Sequence, residues 1–387
     1  MQNLKNQNFS SKIFRDSIIR TMGDTRNQKM PPVWLVKIIQ LFRGLLLRLH
    51  RKTFPGNVVL YEQFQNLWLL PSLYVAAKLN VAEHLKESPL SAQELALRTN
   101  THARSLSRIM RALTGQGIFK VNRDNKYEIN GMAKGLLDEP GSLRFMLLHH
   151  LGPVNWNLMS HLEYAVRTGE DAFADKYGKG IYEYLQDHQE ESGLFDRSMS
   201  NLSDLGLAPI LNAYDFSHFK TIADIGGGEG FLIANIVKEN PSAIGILYDL
   251  PETVAQAPRM LERYGVRDRV SIISGNFFEE VPAGAGLYLM KNIIHNWSDS
   301  QCIDLLKNVN RAMTENARMV IIEMIVSEDN RQELAKLLDI QMLVTLTGGK
   351  ERTRKEFINL LESSGFKLTR IVKTIAPICL IEAKKST

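Results

Sequence analysis

Residues 221–230, TIADIGGGEG, decide the fold. Thr221–Ile225 is a short apolar, β-prone run, and the amphipathic stretch Phe231–Glu239 beyond the glycines has helical spacing. A strand that ends in a glycine loop and opens a helix is the first unit of a doubly wound sheet. The same alternation continues outward. Ile244–Leu250, Val270–Ser274, Leu287–Met290 and Met319–Val326 read as strands. Ala255–Tyr264, Gln301–Met313 and Gln332–Leu346 read as the helices between and after them. Such alternation predicts an α/β fold, a Rossmann-like parallel sheet with helices on both faces. Phe366–Val372 and Ile378–Ala383 have no helix between them and predict an antiparallel hairpin at one sheet edge.

The loop also narrows the ligand, because ligands of such sheets bind at the carboxyl ends of the strands. A phosphate loop would need Gly-Lys-Ser/Thr, which is absent. A dinucleotide fingerprint begun at Gly226 requires glycine where Phe231 stands, and one begun at Gly228 requires it where Ile233 stands. Asp224 and Glu229 would repel a pyrophosphate, but they suit a cation. S-adenosylmethionine carries a sulfonium and an ammonium and no phosphate. Asp249 closes the second strand, where an acid can accept both ribose hydroxyls.

The run Lys291–Asp299, KNIIHNWSD, follows the fourth strand and lies at the same sheet edge. Its His295 is the candidate general base for methyl transfer to a hydroxyl. A base histidine needs a carboxylate to fix its tautomer. Glu323, in the apolar run MVIIEMIV, is the first candidate, and Glu351, in GGKERT, is the second. The two cysteines, Cys302 and Cys379, exclude a disulfide framework and a cysteine-based zinc site, and no metal is expected.

The N-terminal half is helical in pattern. Leu79–Leu85, Ala92–Thr99 and His102–Gly115 read as helices, with Ser91 and Glu94 as a capping box. Ile118–Val121 and Lys126–Ile129 read as a hairpin. Three helices and a hairpin make a winged-helix arrangement, so Arg104, Arg108 and Arg111 raise a DNA-binding alternative. The charge balance argues against it. Residues 1–55 hold eleven Lys/Arg against two acids, while the other 332 residues hold 36 basic and 40 acidic groups. The basic character therefore belongs to an arm, and the body is slightly acidic. Residues 1–30 do not read as a secretory signal. Within the arm, residues 33–49 form a helix with a narrow polar stripe at Lys37, Gln40, Gly44 and Arg48. Three charges make it a poor membrane span. Packing on the protein or on a second subunit is one reading of this helix, and peripheral membrane contact is the other. Low cysteine usage points to the cytoplasm.

The segments DIGGGEGFL, YDLPETVAQAP, GNFF, LMKNIIHNWSDSQC, LDIQMLVTLTGGKERTRKEF and SSGF occur in this order, and over roughly residues 57–385 the chain resembles the caffeic acid and acetylserotonin O-methyltransferase family. The resemblance implies a class I methyltransferase sheet, S-adenosylmethionine as methyl donor and a small, aromatic hydroxyl compound as acceptor. It implies a winged-helix-like domain that serves homodimerisation and not nucleic-acid binding. The expected divisions are an arm over 1–55, a dimerisation domain with helical linker over 56–205, and a donor-binding domain over 206–387. By resemblance the base falls on His295 and its flanking glutamates on Glu323 and Glu351. The donor contacts fall on Gly226, Gly228, Asp249, Leu250, Asn276, Phe277 and Lys291, with Asp224 in the same loop. Phe195, Met199 and Met342 match walls of the acceptor site. Asn276 and Asn296 each stand where the family usually has Asp. N-methylation on the same donor site is the alternative chemistry.

Overall fold

The computed structural model describes residues 30–386. The expectations for residues 1–29, most of the basic arm, lie outside the described residues. The described chain divides into two compact units. One comprises residues 45–159 and 185–205, and the other residues 31–44, 160–184 and 206–386. The expected divisions therefore need revision. Residues 160–184 belong with the donor-binding unit rather than with a helical linker, and 45–55 belong with the first unit. The division between 205 and 206 matches the expected one and falls inside the helix Gln189–Ala213.

The first unit is built on short helices. Ala92–Thr99 starts at the predicted capping box, with Ser91 and Glu94 satisfying each other's backbone N–H groups. The preceding helix begins at Val81, two residues later than its pattern suggests, because Asn80 adopts a left-handed conformation (φ 54°). Ala103–Gly115 buries Leu106, Met110 and Leu113 on one face. Two short strands, β1 (Lys120–Val121) and β2 (Tyr127–Glu128), form the antiparallel hairpin. Leu85, Leu95, Met110 and Phe119 belong to the core beneath.

The second unit contains the sheet. Its strands are β3 (Thr221–Ile225), β4 (Ile244–Asp249), β5 (Val270–Ser274), β6 (Leu287–Lys291), β7 (Arg318–Val326), β8 (Arg352–Thr353), β9 (Phe366–Lys373) and β10 (Ile378–Lys385). The spatial order is β5-β4-β3-β6-β7-β10-β9, with β8 pairing to the end of β7. The strands from β5 to β7 are parallel, and β10 is antiparallel to both of its neighbours. The chain therefore steps outward from β3 to β5, then returns to place β6 on β3's other side. That reversal is a switch point, and it opens a crevice at the carboxyl ends of β3 and β6.

Alternation along the strands sorts residues to the two faces. In β7, Val320, Ile322 and Met324 join one core, and Met319 and Ile321 join the other. Glu323 continues the Met319–Ile321 row. Asp224 lies in the same row as Ile222, and Lys291 in the same row as Leu287 and Leu289; these apolar neighbours share one core. The pleat thus brings Asp224 and Lys291 to one side of the crevice.

Candidate active site

The glycine loop turns on left-handed backbone, with φ of 69° at Gly226, 64° at Gly228 and 87° at Gly230. L-residues strongly disfavour that region. The N–H of Gly226 donates to the Tyr248 carbonyl (2.8 Å), fastening the loop to β4. The N–H of Gly228 donates to Asp249 Oδ2 (2.8 Å), and that of Leu250 donates to Oδ1 (2.7 Å). Asp249 is thereby fixed beside the loop. Burial raises its pKa, against these two hydrogen bonds.

The buried Asp224 has its pKa pushed up to about 7 by burial, with Lys291 opposing and Asp249 adding to the rise. Burial lowers the Lys291 pKa, with Asp224 and Glu323 opposing. Lys291 thus couples electrostatically to both the glycine loop and the base cluster. Phe277 sits edge-on to Phe278 (4.9 Å) and Trp297 (6.2 Å). A Cβ on Gly226 would lie 3.6 Å from its ring and 2.4 Å from Ile293 Cδ1. The Asn276 side chain accepts from the Phe278 N–H (3.0 Å) and donates to Glu279 (3.2 Å). The structure therefore uses this Asn to shape its own turn.

Past β6, Asn292 takes a left-handed conformation (φ 55°) and turns the chain into the short 3-10 helix Ile294–Asn296. The Asn296 amide donates to the Asn292 carbonyl (3.2 Å), a bond that an ionised Asp in its place could not donate. This turn carries His295, whose side chain is 14% exposed. Its Nδ1 lies 2.8 Å from Glu351 Oε1 and 3.4 Å from Glu323 Oε2. Its backbone N–H donates to Glu323 Oε1 (3.3 Å). The two carboxylates are thus both present, in the reverse of the expected order. Glu351 makes the short bond, and Glu323 holds the backbone and stands second to the ring.

Burial disfavours the imidazolium, but Glu323 and Glu351 outweigh it, and the His295 pKa is raised above 6.5. Glu323, fully buried, also has its pKa raised, by burial first, with His295 opposing. The ligand-type atoms of these three residues lie within 4.8 Å of one another. That spacing is also the spacing of a hydrogen-bonded base cluster.

Arg352 is the residue that sequence reasoning missed. It is 1% exposed, yet it donates to the carbonyls of Ile294 and Trp297 (2.8 Å each) and to Asp299 Oδ1 (2.9 and 2.8 Å). It therefore clamps both ends of the turn that carries His295. Its position beside Glu351 in GGKERT was the available signal. The Lys350 N–H adds a bond to the His295 carbonyl (2.9 Å). Met342 is buried on the helix Leu334–Thr345, and Asp339 of that helix accepts the Glu351 N–H (2.8 Å).

Phe195 and Met199 lie in the first unit, on the helix Gln189–Ala213, whereas His295 and Met342 lie in the second. The Phe195 ring stands edge-on to His149 at 5.4 Å. Burial pushes the His149 pKa down to about 4.

The family model of the O-methyltransferase domain matches residues 159–367, and that of the O-methyltransferase dimerisation domain matches residues 61–139. The chain belongs to the caffeic acid and acetylserotonin O-methyltransferase family. This O-methyltransferase is 34% identical to a phenazine O-methyltransferase of Lysobacter antibioticus, over 85% of this chain and 96% of the relative. It is 31% identical to 8-amino-8-demethylriboflavin N,N-dimethyltransferase of Streptomyces davaonensis, over 81% and 90%. The crystal structure of human N-acetylserotonin methyltransferase in complex with S-adenosylmethionine superposes with a TM-score of 0.78 at 25% identity, covering 86% of this chain and 99% of that one.

The enzyme uses S-adenosylmethionine as its methyl donor. The loop fits such a ligand. Asp224 Oδ2 is buried and has no hydrogen-bond partner among the described residues. A cation nearby would favour its ionised form. A Cβ on Gly228 would meet nothing within 4 Å, so the backbone there is open to close approach.

Proposed function

We propose that the enzyme transfers a methyl group to a hydroxyl of a small aromatic compound, with His295 as general base. The observation that carries this reading is the 2.8 Å bond from His295 Nδ1 to Glu351. A carboxylate there keeps the proton on Nδ1, which leaves the Nε2 lone pair for the acceptor's proton. The acceptor oxygen gives that proton to Nε2 as it bonds to the methyl carbon. S-adenosylmethionine supplies that carbon on a positively charged sulfur, which takes the electron pair when the bond breaks. Glu351 and Glu323 stabilise the imidazolium that results, and Arg352 holds the turn still.

In the donor cradle, Asp249 accepts from the ribose, and Asp224 balances the ligand's charge. Gly226, Gly228, Leu250, Asn276, Phe277 and Lys291 form its walls. Met342 lines the acceptor side. The dimerisation domain supports a homodimer and gives the winged helix a role other than DNA binding. Low cysteine usage supports the cytoplasm as the working compartment.

N-methylation is the second reading, favoured by the match to the N,N-dimethyltransferase. Paired acceptors separate the two. The enzyme and donor with a labelled methyl are given aromatic hydroxyl compounds and their amino counterparts. Mass spectrometry and the methyl proton shift then identify the product. O-methyl products from the hydroxyl set are expected. N-methyl products alone would hand the site to the second reading.

A further inference from the structure

The helix Val33–Arg51 buries none of its 19 residues. Trp34, Ile38, Leu41, Leu45 and Leu49 recur at three- and four-residue spacing along one face, and all are 48% exposed or more. The helix lies ahead of the stretches matched by the family models, which begin at residue 61. Among the described residues its apolar face is left open.

We propose that this helix packs on a second copy of the chain and extends the dimer interface beyond the dimerisation domain. The proposal rests on the homodimer reading above. Two observations carry it.

The apolar surface continues into the dimerisation stretch. His50 Nε2 lies 3.4 Å from Glu62, which sets the end of this helix against the helix Gly56–Phe64. There Tyr61 packs on Phe64 (6.2 Å) and Phe64 on Trp68 (5.3 Å), and all three rings are more than half exposed.

The area is that of an interface. About a dozen large apolar side chains, each roughly half exposed, present on the order of 1,000 Å². The largest patch on a typical monomer is about 300–600 Å², and a standard interface buries about 800 Å² per partner.

The test uses the full chain. Sedimentation equilibrium over a dilution series gives the dimer dissociation constant for wild type, for Leu41→Glu with Leu45→Glu, and for Gln40→Glu on the polar stripe. Donor calorimetry confirms that each variant is folded. Wild type should be dimeric, the double variant should dissociate at least tenfold more readily, and Gln40→Glu should match wild type. A dimeric wild type with an unchanged double variant would overturn the proposal while leaving the homodimer reading intact. A monomeric wild type would remove both. Co-sedimentation of wild type, but not the double variant, with phosphatidylserine vesicles, with dimerisation unchanged, would assign the face to lipid instead.

Discussion

At the scale of single residues, the site is a set of charges placed so that each has one task. Asp249 is anchored by two backbone N–H groups, so its carboxylate is oriented before any ligand arrives. Asp249→Ala should therefore weaken S-adenosylmethionine binding by about 1.5–3 kcal/mol for each ribose bond lost. Calorimetry measures it, and unchanged affinity would remove Asp249 from the donor site. The two glutamates are separable. Glu351 bonds the ring at 2.8 Å, whereas Glu323 stands 3.4 Å away. Glu351→Gln should lower turnover more than Glu323→Gln, because the amide still accepts from Nδ1 but no longer stabilises the imidazolium. Either change removes a carboxylate that raises the His295 pKa, so the acid limb of the rate profile should move to lower pH. Equal, negligible losses would leave the ring without an electrostatic partner. The sequence placed an acid within an apolar run at Glu323, and that alone called for a partner. It ranked Glu323 ahead of Glu351, and the structure reverses that order. Glu351 is 56 residues from His295 and reaches it only because β8, two residues long, pairs with β7. Arg352 was overlooked for a similar reason. An arginine reads as solvent-facing until its carbonyl partners are known.

At the scale of elements, local signals carried most of the sheet. Thr221–Ile225, Val270–Ser274 and Phe231–Glu239 form over the residues that their patterns predict. Those patterns are set by side-chain periodicity and need no tertiary information. Ala255–Tyr264 forms as a single helix but a shorter one, Ala257–Arg263, preceded by a separate short helix, Pro251–Val254. Pro258 supplies the reason, because proline fits only the first turn of a helix. The glycine loop yields a test of its own. A Cβ at Gly226 would strike Ile293, whereas one at Gly228 would meet only open space. Gly228→Ala should cost the fold about 1–2 kcal/mol from its left-handed backbone, because no contact is added. Its effect on donor affinity should be larger than its effect on the melting temperature implies. A variant that binds the donor as wild type does would place the ligand away from this residue.

At the scale of the whole molecule, the chain is two units interleaved in sequence, and this interleaving was not legible. Residues 160–184 join the second unit from within a helical stretch whose pattern resembles that of its neighbours. Periodicity reports which face of a helix is buried but not which body covers it. The proposed mechanism turns on His295 removing the acceptor's proton. Single-turnover rates across pH, for wild type and His295→Ala at saturating donor, test it most directly. Wild type should lose rate as pH falls, with the midpoint above 6.5, because the glutamates raise the His295 pKa and only the neutral imidazole accepts a proton. His295→Ala should lose about 10²–10⁴-fold in rate, keep its donor affinity and show no such limb. An alanine variant with wild-type turnover and a flat pH profile would show that His295 does not remove that proton.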